Sequence, residues 1–180
     1  MSSLEDLLAR YAASHRDRRN IATHFAGIPM IVAALAIALA QVAVPVDGID
    51  VTLAAAASVA ACVYYLRLDF AFAVAMAVGL FAACAVASEA IARLGTGGSL
   101  GLALALFTGG WALQFLGHRY EGVKPAFLDD VRQLLVGPLF LAAELVFFFG
   151  GRPQLRRRIE ERVGPVVARR THSAANAARP

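Results

Sequence analysis

Residues 21–44, IATHFAGIPMIVAALAIALAQVAV, contain no Asp, Glu, Lys or Arg. Coiled into an α-helix at about 1.5 Å per residue, the run measures roughly 36 Å, enough to cross a hydrocarbon core about 30 Å thick. A segment this long and uniformly apolar makes lipid the solvent of the chain. Three further runs follow: VTLAAAASVAACVYYL at 51–66, which is a short span, then 70–92, then about 100–117. Arg67, Leu68 and Asp69 turn the second run into the third, and Gly95, Thr96, Gly97, Gly98 and Ser99 punctuate the chain before the fourth. The pattern predicts an all-α integral membrane bundle of four transmembrane helices, returning the chain to its starting side. A hydrophobic content of 59% and a mean hydropathy of +0.63 agree; soluble domains hold roughly 45–50% by a comparable count.

The flanking segments are polar and basic. Leu4, Leu7, Leu8 and Tyr11 recur at helical spacing, so residues 3–15 read as an amphipathic helix lying along the interface. Asn20 offers an N-cap to the first span, and Pro29 predicts a kink near Gly27–Pro29. Pro45, Asp47, Gly48 and Asp50 mark the first loop. A fifth apolar stretch, 134–149, is interrupted by Gly137, Pro138 and Glu144, which predicts a re-entrant or interfacial helix; a fifth span is the competing reading. The organisation expected is a cytoplasmic amphipathic segment over 1–20, a membrane domain over 21–150 and a basic cytoplasmic tail over 151–180. The first twenty residues lack the apolar core of a removable signal peptide, so the first run is expected to remain as a span.

Net charge is +4 and the isoelectric point about 9.6. The cations sit beside membrane segments rather than among exposed aromatics, which argues against nucleic acid. Arg16, Arg18, Arg19, Arg67, Arg119, Lys124 and Arg132 fall on one side of the expected topology and only Arg93 on the other, so the first side is read as cytoplasmic. The arginine-rich tail is expected to rest on an anionic leaflet. Cys62 and Cys84 lie inside apolar runs and read as packing residues. The alanine-rich composition points to a bacterial inner membrane.

Four histidines are present. The topology puts His15, His24 and His118 at one membrane face, while His172 lies in the polar tail. Neutral imidazole is a common metal ligand, and His118 shares a helix face with Glu121 three residues on. Two or three histidines with a carboxylate leave open positions on iron for substrate and oxygen. Each histidine taken alone also fits a helix-end cap or a lipid-phosphate contact, and an unbroken helix would put His15 and His24 about 180° apart. A shared ion requires a break in RDRRN. Gln114 precedes His118 by one turn, as an orienting partner for the imidazole or as a packing hydrogen bond. Asp129 and Asp130 read as helix caps, Glu89 and Arg93 as a structural i, i+4 pair, and Glu144 as a reserve carboxylate. Four histidines are too few for the clustered boxes of membrane di-iron desaturases, and these lie too near the interface for haem ligation between mid-membrane histidines. What remains is a small mononuclear site or none.

The segments YAASHRDRRNIATHFAGIP, QFLGHRYEGVKPAFLDD and LLVGPLFLAAELVF resemble the Mpo-like membrane proteins, whose eukaryotic member is a 2-hydroxy fatty acid dioxygenase of phytosphingosine breakdown. The resemblance covers about residues 8–149 and is carried by His15, Asn20, His24 and Pro29, then by Gln114, Gly117, His118, Glu121, Pro125 and Ala126. It implies Fe(2+)-dependent α-oxidation of a 2-hydroxy fatty acid by O2 to CO2 and the acid one carbon shorter, without 2-oxoglutarate or a reductase. His15, His24 and His118 would be the metal ligands and Glu121 a weaker candidate, with Asn20 and Gln114 behind them. Arg16, Arg19, Arg119 and Lys124 would attract the anionic headgroup. Two other classes stay open: a non-enzymatic membrane module, such as a transporter subunit or assembly factor, and a zinc-dependent lipid hydrolase.

Overall fold

The computed structural model describes residues 3–123 and 132–169. In chain order these form α1 (Leu4–Ala12), α2 (Arg18–Ala40), β1 (Ala43–Val46), β2 (Ile49–Thr52), α3 (Leu53–Leu66), α4 (Phe70–Glu121), α5 (Gln133–Phe148) and α6 (Pro153–Val163). The fold is almost wholly helical. α2 and α4 are long and apolar enough to cross a membrane, and α3 is a shorter apolar helix. Lys124, Pro125, Ala126, Asp129, Asp130 and His172 lie outside the described residues. The chain divides into two compact units, one of residues 29–111 and one of residues 1–28 with 112–180.

The first of these units is packed by small side chains. Ala34, Ala36 and Ile37 of α2 cluster with Ala83, Ala87, Ala90 and Ala103 of α4, and alanines let helix backbones approach closely where no hydrophobic effect drives association. Gln41 Nε2 donates to Ser99 Oγ at 3.1 Å in the same region. A straight helix of the length of α4, 52 residues, would extend about 78 Å and hold Ala83 and Ala103 about 30 Å apart. Their membership of one cluster follows from Gly95, whose dihedrals (φ 64°, ψ −179°) are non-helical. The expected break between third and fourth spans is therefore real but narrower than expected: it is confined to Gly95, and residues 96–99 are helical.

Two other expectations are corrected here. The first loop is not irregular but a two-stranded antiparallel hairpin, with Val46 opposite Ile49. Its two-residue turn, Asp47 (φ 48°) and Gly48 (φ 81°), has positive φ at both positions, as the twist of a tight hairpin demands. The N-cap of α2 is Asp17 rather than Asn20: the helix starts at Arg18, and Asp17 Oδ1 accepts from Arg19 N–H at 2.9 Å. α2 then stays helical through Pro29.

In the second unit the apolar face of α1 is covered by the protein itself. Ser3 and Asp6 form a capping box at its start. Leu7, Leu8, Tyr11 and Ala12 are buried, with α5 and α6 packed alongside. Arg158 pairs with Glu5 at 3.3 Å and Arg162 with Asp6 at 3.0 Å, so α6, the start of the expected tail, is docked on α1 by charge. α5 and α6 meet at 116° through Gly150 (φ 79°) and Arg152 (φ 51°), the geometry of a broken span or a re-entrant turn. Beyond α6 the chain runs beside the α1–α2 junction: Val167 N–H donates to Arg16 O at 2.8 Å, and Arg18 N–H to Val167 O at 2.9 Å.

An added Cβ at Gly95 meets nothing within 4 Å, so any cost there is conformational. Gly95→Ala is expected to lower unfolding stability by about 1–3 kcal/mol, the range for a side chain forced into a glycine-only backbone region. Thermal or denaturant unfolding in detergent, read by circular dichroism, measures it.

Candidate metal centre

α1 ends at Ala12 and α2 begins at Arg18, and the five residues between them carry His15. This break, slightly earlier than RDRRN, turns His15 back toward His24, one turn and a half into α2. His118 arrives on the last turns of α4. All three imidazoles are buried, at 0%, 1% and 7% exposure respectively. Their ring centroids are 4.5 Å (His15–His24), 4.9 Å (His15–His118) and 5.1 Å (His24–His118) apart. One nitrogen from each can be chosen so that all lie within 4.8 Å of one another.

Hydrogen bonding sets the protonation pattern. His15 Nδ1–H donates to Tyr11 O at 2.6 Å, and His24 Nδ1–H to Asn20 O at 2.9 Å. A carbonyl oxygen has no proton to give, so in both neutral rings the proton sits on Nδ1 and Nε2 is a bare lone pair. Those two Nε2 atoms face each other at 3.0 Å. His118 Nδ1 is buried without a hydrogen-bond partner among the described residues. Burial and the neighbouring His24 and His118 rings hold His15 well below the usual histidine range, which keeps it neutral and ligand-competent. Converging lone pairs and an orphaned buried nitrogen are what a cation would satisfy, so the donor set fits a metal ion.

Glu121 is placed differently from the expectation of a ligand. Oε1 accepts from Arg16 N–H at 2.9 Å; Oε2 accepts from Asp17 N–H at 2.9 Å and Asn20 Nδ2–H at 3.0 Å. The carboxylate thus caps the turn that carries His15, at the positive end of α2. Asn20 Nδ2–H also donates to Ser14 O at 2.9 Å, so the same amide spans the turn. Among the described residues the candidate ligand group holds three histidines and no carboxylate.

The remaining expected residues are spread more widely. Arg16 is buried: its Nε–H donates to Ala12 O at 2.9 Å, Nη1–H donates to Gly164 O at 3.1 Å, and Nη2 lies 3.7 Å from Glu144. That pair engages the reserve carboxylate. Arg19 pairs with Asp17 at 2.8 Å and lies over the Tyr120 ring, while Arg119 is exposed. Gln114 is buried on the His118 side of α4, its Nε2 without a partner among the described residues. Glu89 and Arg93 form the expected i, i+4 pair. An apolar groove of about 450 Å³, lined by Ile21, Ala22, Phe25, Phe147 and Phe148 with Arg18 and Arg156, includes none of the histidines.

Tyr11 was visible in the sequence only as one member of an apolar stripe, yet its ring stacks on His15 at 4.1 Å and 5°. Burial pushes its phenol up, keeping it protonated. Phe140 of α5 covers both rings, at 5.0 Å from Tyr11 and 5.5 Å from His15. The i, i+4 spacing of Tyr11 and His15 was the available signal.

These features define a class: a helical protein with membrane-length apolar helices and a buried, all-histidine cluster fit for a metal. The family model described as 2-hydroxy-palmitic acid dioxygenase Mpo1-like matches residues 1–149, and the chain belongs to that family. A Saccharomyces cerevisiae protein, 2-hydroxy-palmitic acid dioxygenase MPO1, is 41% identical over 59 residues, a stretch covering 32% of this chain and 34% of the yeast protein. The matched part is therefore about a third of the length of that relative. No solved structure matches the chain.

Two substitutions probe the turn. A Cβ at Gly117 would collide with Thr23 Oγ1 and Asn20 Oδ1 and lie 3.2 Å from His24 Nδ1; Gly117→Ala is expected to yield protein that binds metal substoichiometrically, as read by metal analysis of the folded fraction. Glu121→Ala leaves two backbone N–H groups without their acceptor, at about 1–3 kcal/mol each, and is expected to lower the thermal midpoint more than Glu121→Gln, which keeps one accepting oxygen.

Proposed function

We propose that the chain is an Fe(2+)-dependent dioxygenase that carries out α-oxidation of 2-hydroxy fatty acids. The observation that carries this reading is the pair of bare Nε2 lone pairs 3.0 Å apart, with His118 beside them, in a buried site. The reaction RCH(OH)COOH + O2 → RCOOH + CO2 + H2O balances in atoms and electrons: the bond between C1 and C2 breaks, the substrate supplies all four electrons, and no second reductant is needed. Iron, when bound, supplies the activation of O2.

The roles of the chain's own residues follow from their geometry. His15, His24 and His118 would hold the metal, the first two with their Nδ1 protons fixed on carbonyls so that Nε2 stays available. Three neutral ligands leave the ion's positive charge uncompensated, which favours an anionic carboxylate in the open positions. Glu121 and Asn20 would position the His15 turn rather than ligate, since their polar atoms already hold its backbone. Gln114 would meet the substrate or His118 with its idle amide nitrogen. Of the cations, Arg119 and Lys124 remain as attractors of the headgroup from the interface, with Arg19 a weaker one because Asp17 already neutralises it.

In the membrane we propose four crossings, by α2, α3 and the two arms of α4, with α5 and α6 forming a re-entrant or interfacial corner. The segments 1–20, 21–150 and 151–180 would then be the cytoplasmic amphipathic segment, the membrane domain and the basic region. Positive-inside placement would have the histidines at the cytoplasmic face, and the alanine-rich composition supports a bacterial inner membrane. The alkyl chain would lie among the spans. A zinc hydrolase is the second reading, because three histidines with an open position also suit zinc and an activated water.

Metal analysis of protein purified without oxygen, together with O2 uptake on addition of 2-hydroxypalmitate, separates these readings. The expected result is stoichiometric iron in the wild type, its loss in His24→Ala, and substrate-dependent O2 consumption with release of one CO2 per O2. Tightly bound zinc without O2 uptake would overturn the dioxygenase in favour of the hydrolase, and folded metal-free protein from iron-replete cells in favour of a non-enzymatic module.

A further inference from the structure

Asn20 Oδ1, Gln114 Nε2, His118 Nδ1 and both amide atoms of Gln133 are buried without a hydrogen-bond partner among the described residues. All four residues belong to the unit that holds the histidines. Asn20 is anchored through its other amide atom, and His118 Nδ1 suits the metal. Gln133 differs, being 2% exposed with donor and acceptor both idle. A buried amide with neither half satisfied destabilises a fold, and a native chain that retains one has a reason to do so.

Its place in α5 supplies the reason. Gln133, Gly137 and Phe140 fall at i, i+4 and i+7, one stripe of the helix. Phe140 packs against His15 and Tyr11. One turn earlier, a Cβ on Gly137 would sit 3.1 Å from the Tyr11 hydroxyl and 3.2 Å from Ile28 Cδ1, so α5 approaches these groups as closely as glycine permits. One turn earlier again is Gln133, roughly 6 Å along the axis from Gly137. The stripe leads from the His15 ring, past the Tyr11 hydroxyl, to an unsatisfied amide.

We propose that Gln133, assisted by the Tyr11 hydroxyl, reads the polar head of the 2-hydroxy acid. The inference rests on the function proposed above and deepens it by naming the residue that selects the hydroxylated substrate. The amide N–H donates to the carboxylate while the amide carbonyl accepts from the 2-hydroxyl, so both idle atoms are used. An acid without the hydroxyl leaves Gln133 Oε1 unpaired in a dry site. Hydrogen-bonding sites reject such analogues far more strongly than apolar pockets reject a missing methylene.

The test uses the full-length, iron-loaded protein with Gln133→Leu and Gln133→Glu. Calorimetric affinity for 2-hydroxypalmitate is expected to fall about tenfold or more in Gln133→Leu, while affinity for palmitate changes far less, which collapses the preference between them. KM should rise with kcat nearly kept, iron content should be unchanged, and the thermal midpoint of substrate-free Gln133→Leu should hold or rise, because an unpaired amide has been removed. Gln133→Glu, with a carboxylate facing a carboxylate, should bind worse still. Unchanged preference between the two acids, or a midpoint that falls with no change in affinity, overturns the assignment and makes Gln133 a packing residue. The two readings fail separately: wild type that binds 2-hydroxypalmitate without consuming O2 overturns the reaction, and the affinity comparison then still decides Gln133.

Discussion

The carboxylate of Glu121 holds the site together. A chain that leaves one helix and starts another within five residues exposes backbone N–H groups at the turn, and in a buried setting each must find an acceptor. Glu121 satisfies Arg16 N–H, Asp17 N–H and the Asn20 amide at once. With the turn fixed, Asp17 caps α2, Tyr11 O and Asn20 O receive the two imidazole protons, and the lone pairs of His15 and His24 are left pointing at each other. Removing the carboxylate therefore acts on the histidine cluster through the backbone, without touching an imidazole.

The two halves of this site were legible in the sequence to different degrees. The sequence expectation that His15, His24 and His118 share one face rests on counting four apolar runs, and the three rings do meet in the structure. The same reasoning could not assign Glu121, since its partners are backbone amides 104 and 105 residues away, and no spacing rule connects a side chain to a distant turn. Asn20 illustrates a related limit. It has the right residue type for a cap, but Asp17 stands three residues earlier and takes the position, leaving Asn20 inside the helix to bridge Ser14 and Glu121.

Periodicity served well for the long apolar runs and poorly at their ends. The helical stripe of Leu4, Leu7, Leu8 and Tyr11 marks an amphipathic helix suited to an interface, and Leu7, Leu8 and Tyr11 are covered by α5 and α6; an amphipathic face does not say what buries it. Pro45, Asp47, Gly48 and Asp50 mark VPVDGIDV as a loop, though alternating apolar residues around Asp-Gly are also a hairpin signal. The arginines of α6 suit an anionic leaflet by charge, and Arg158 and Arg162 pair with Glu5 and Asp6; charge alone does not distinguish an anionic surface from an acidic first turn.

The unit containing the histidines is discontinuous in the chain, with residues 29–111 interposed between its two parts. That order has a consequence for biosynthesis. His15 and His24 leave the ribosome first, but neither the third imidazole nor the carboxylate that shapes their turn exists until the residues of α2, α3 and most of α4 have been made. A nascent chain arrested before Gly117 would carry two histidines on an unanchored turn and nothing to complete the set. The histidine cluster can therefore be completed only late, after the residues interposed between its two parts have been made.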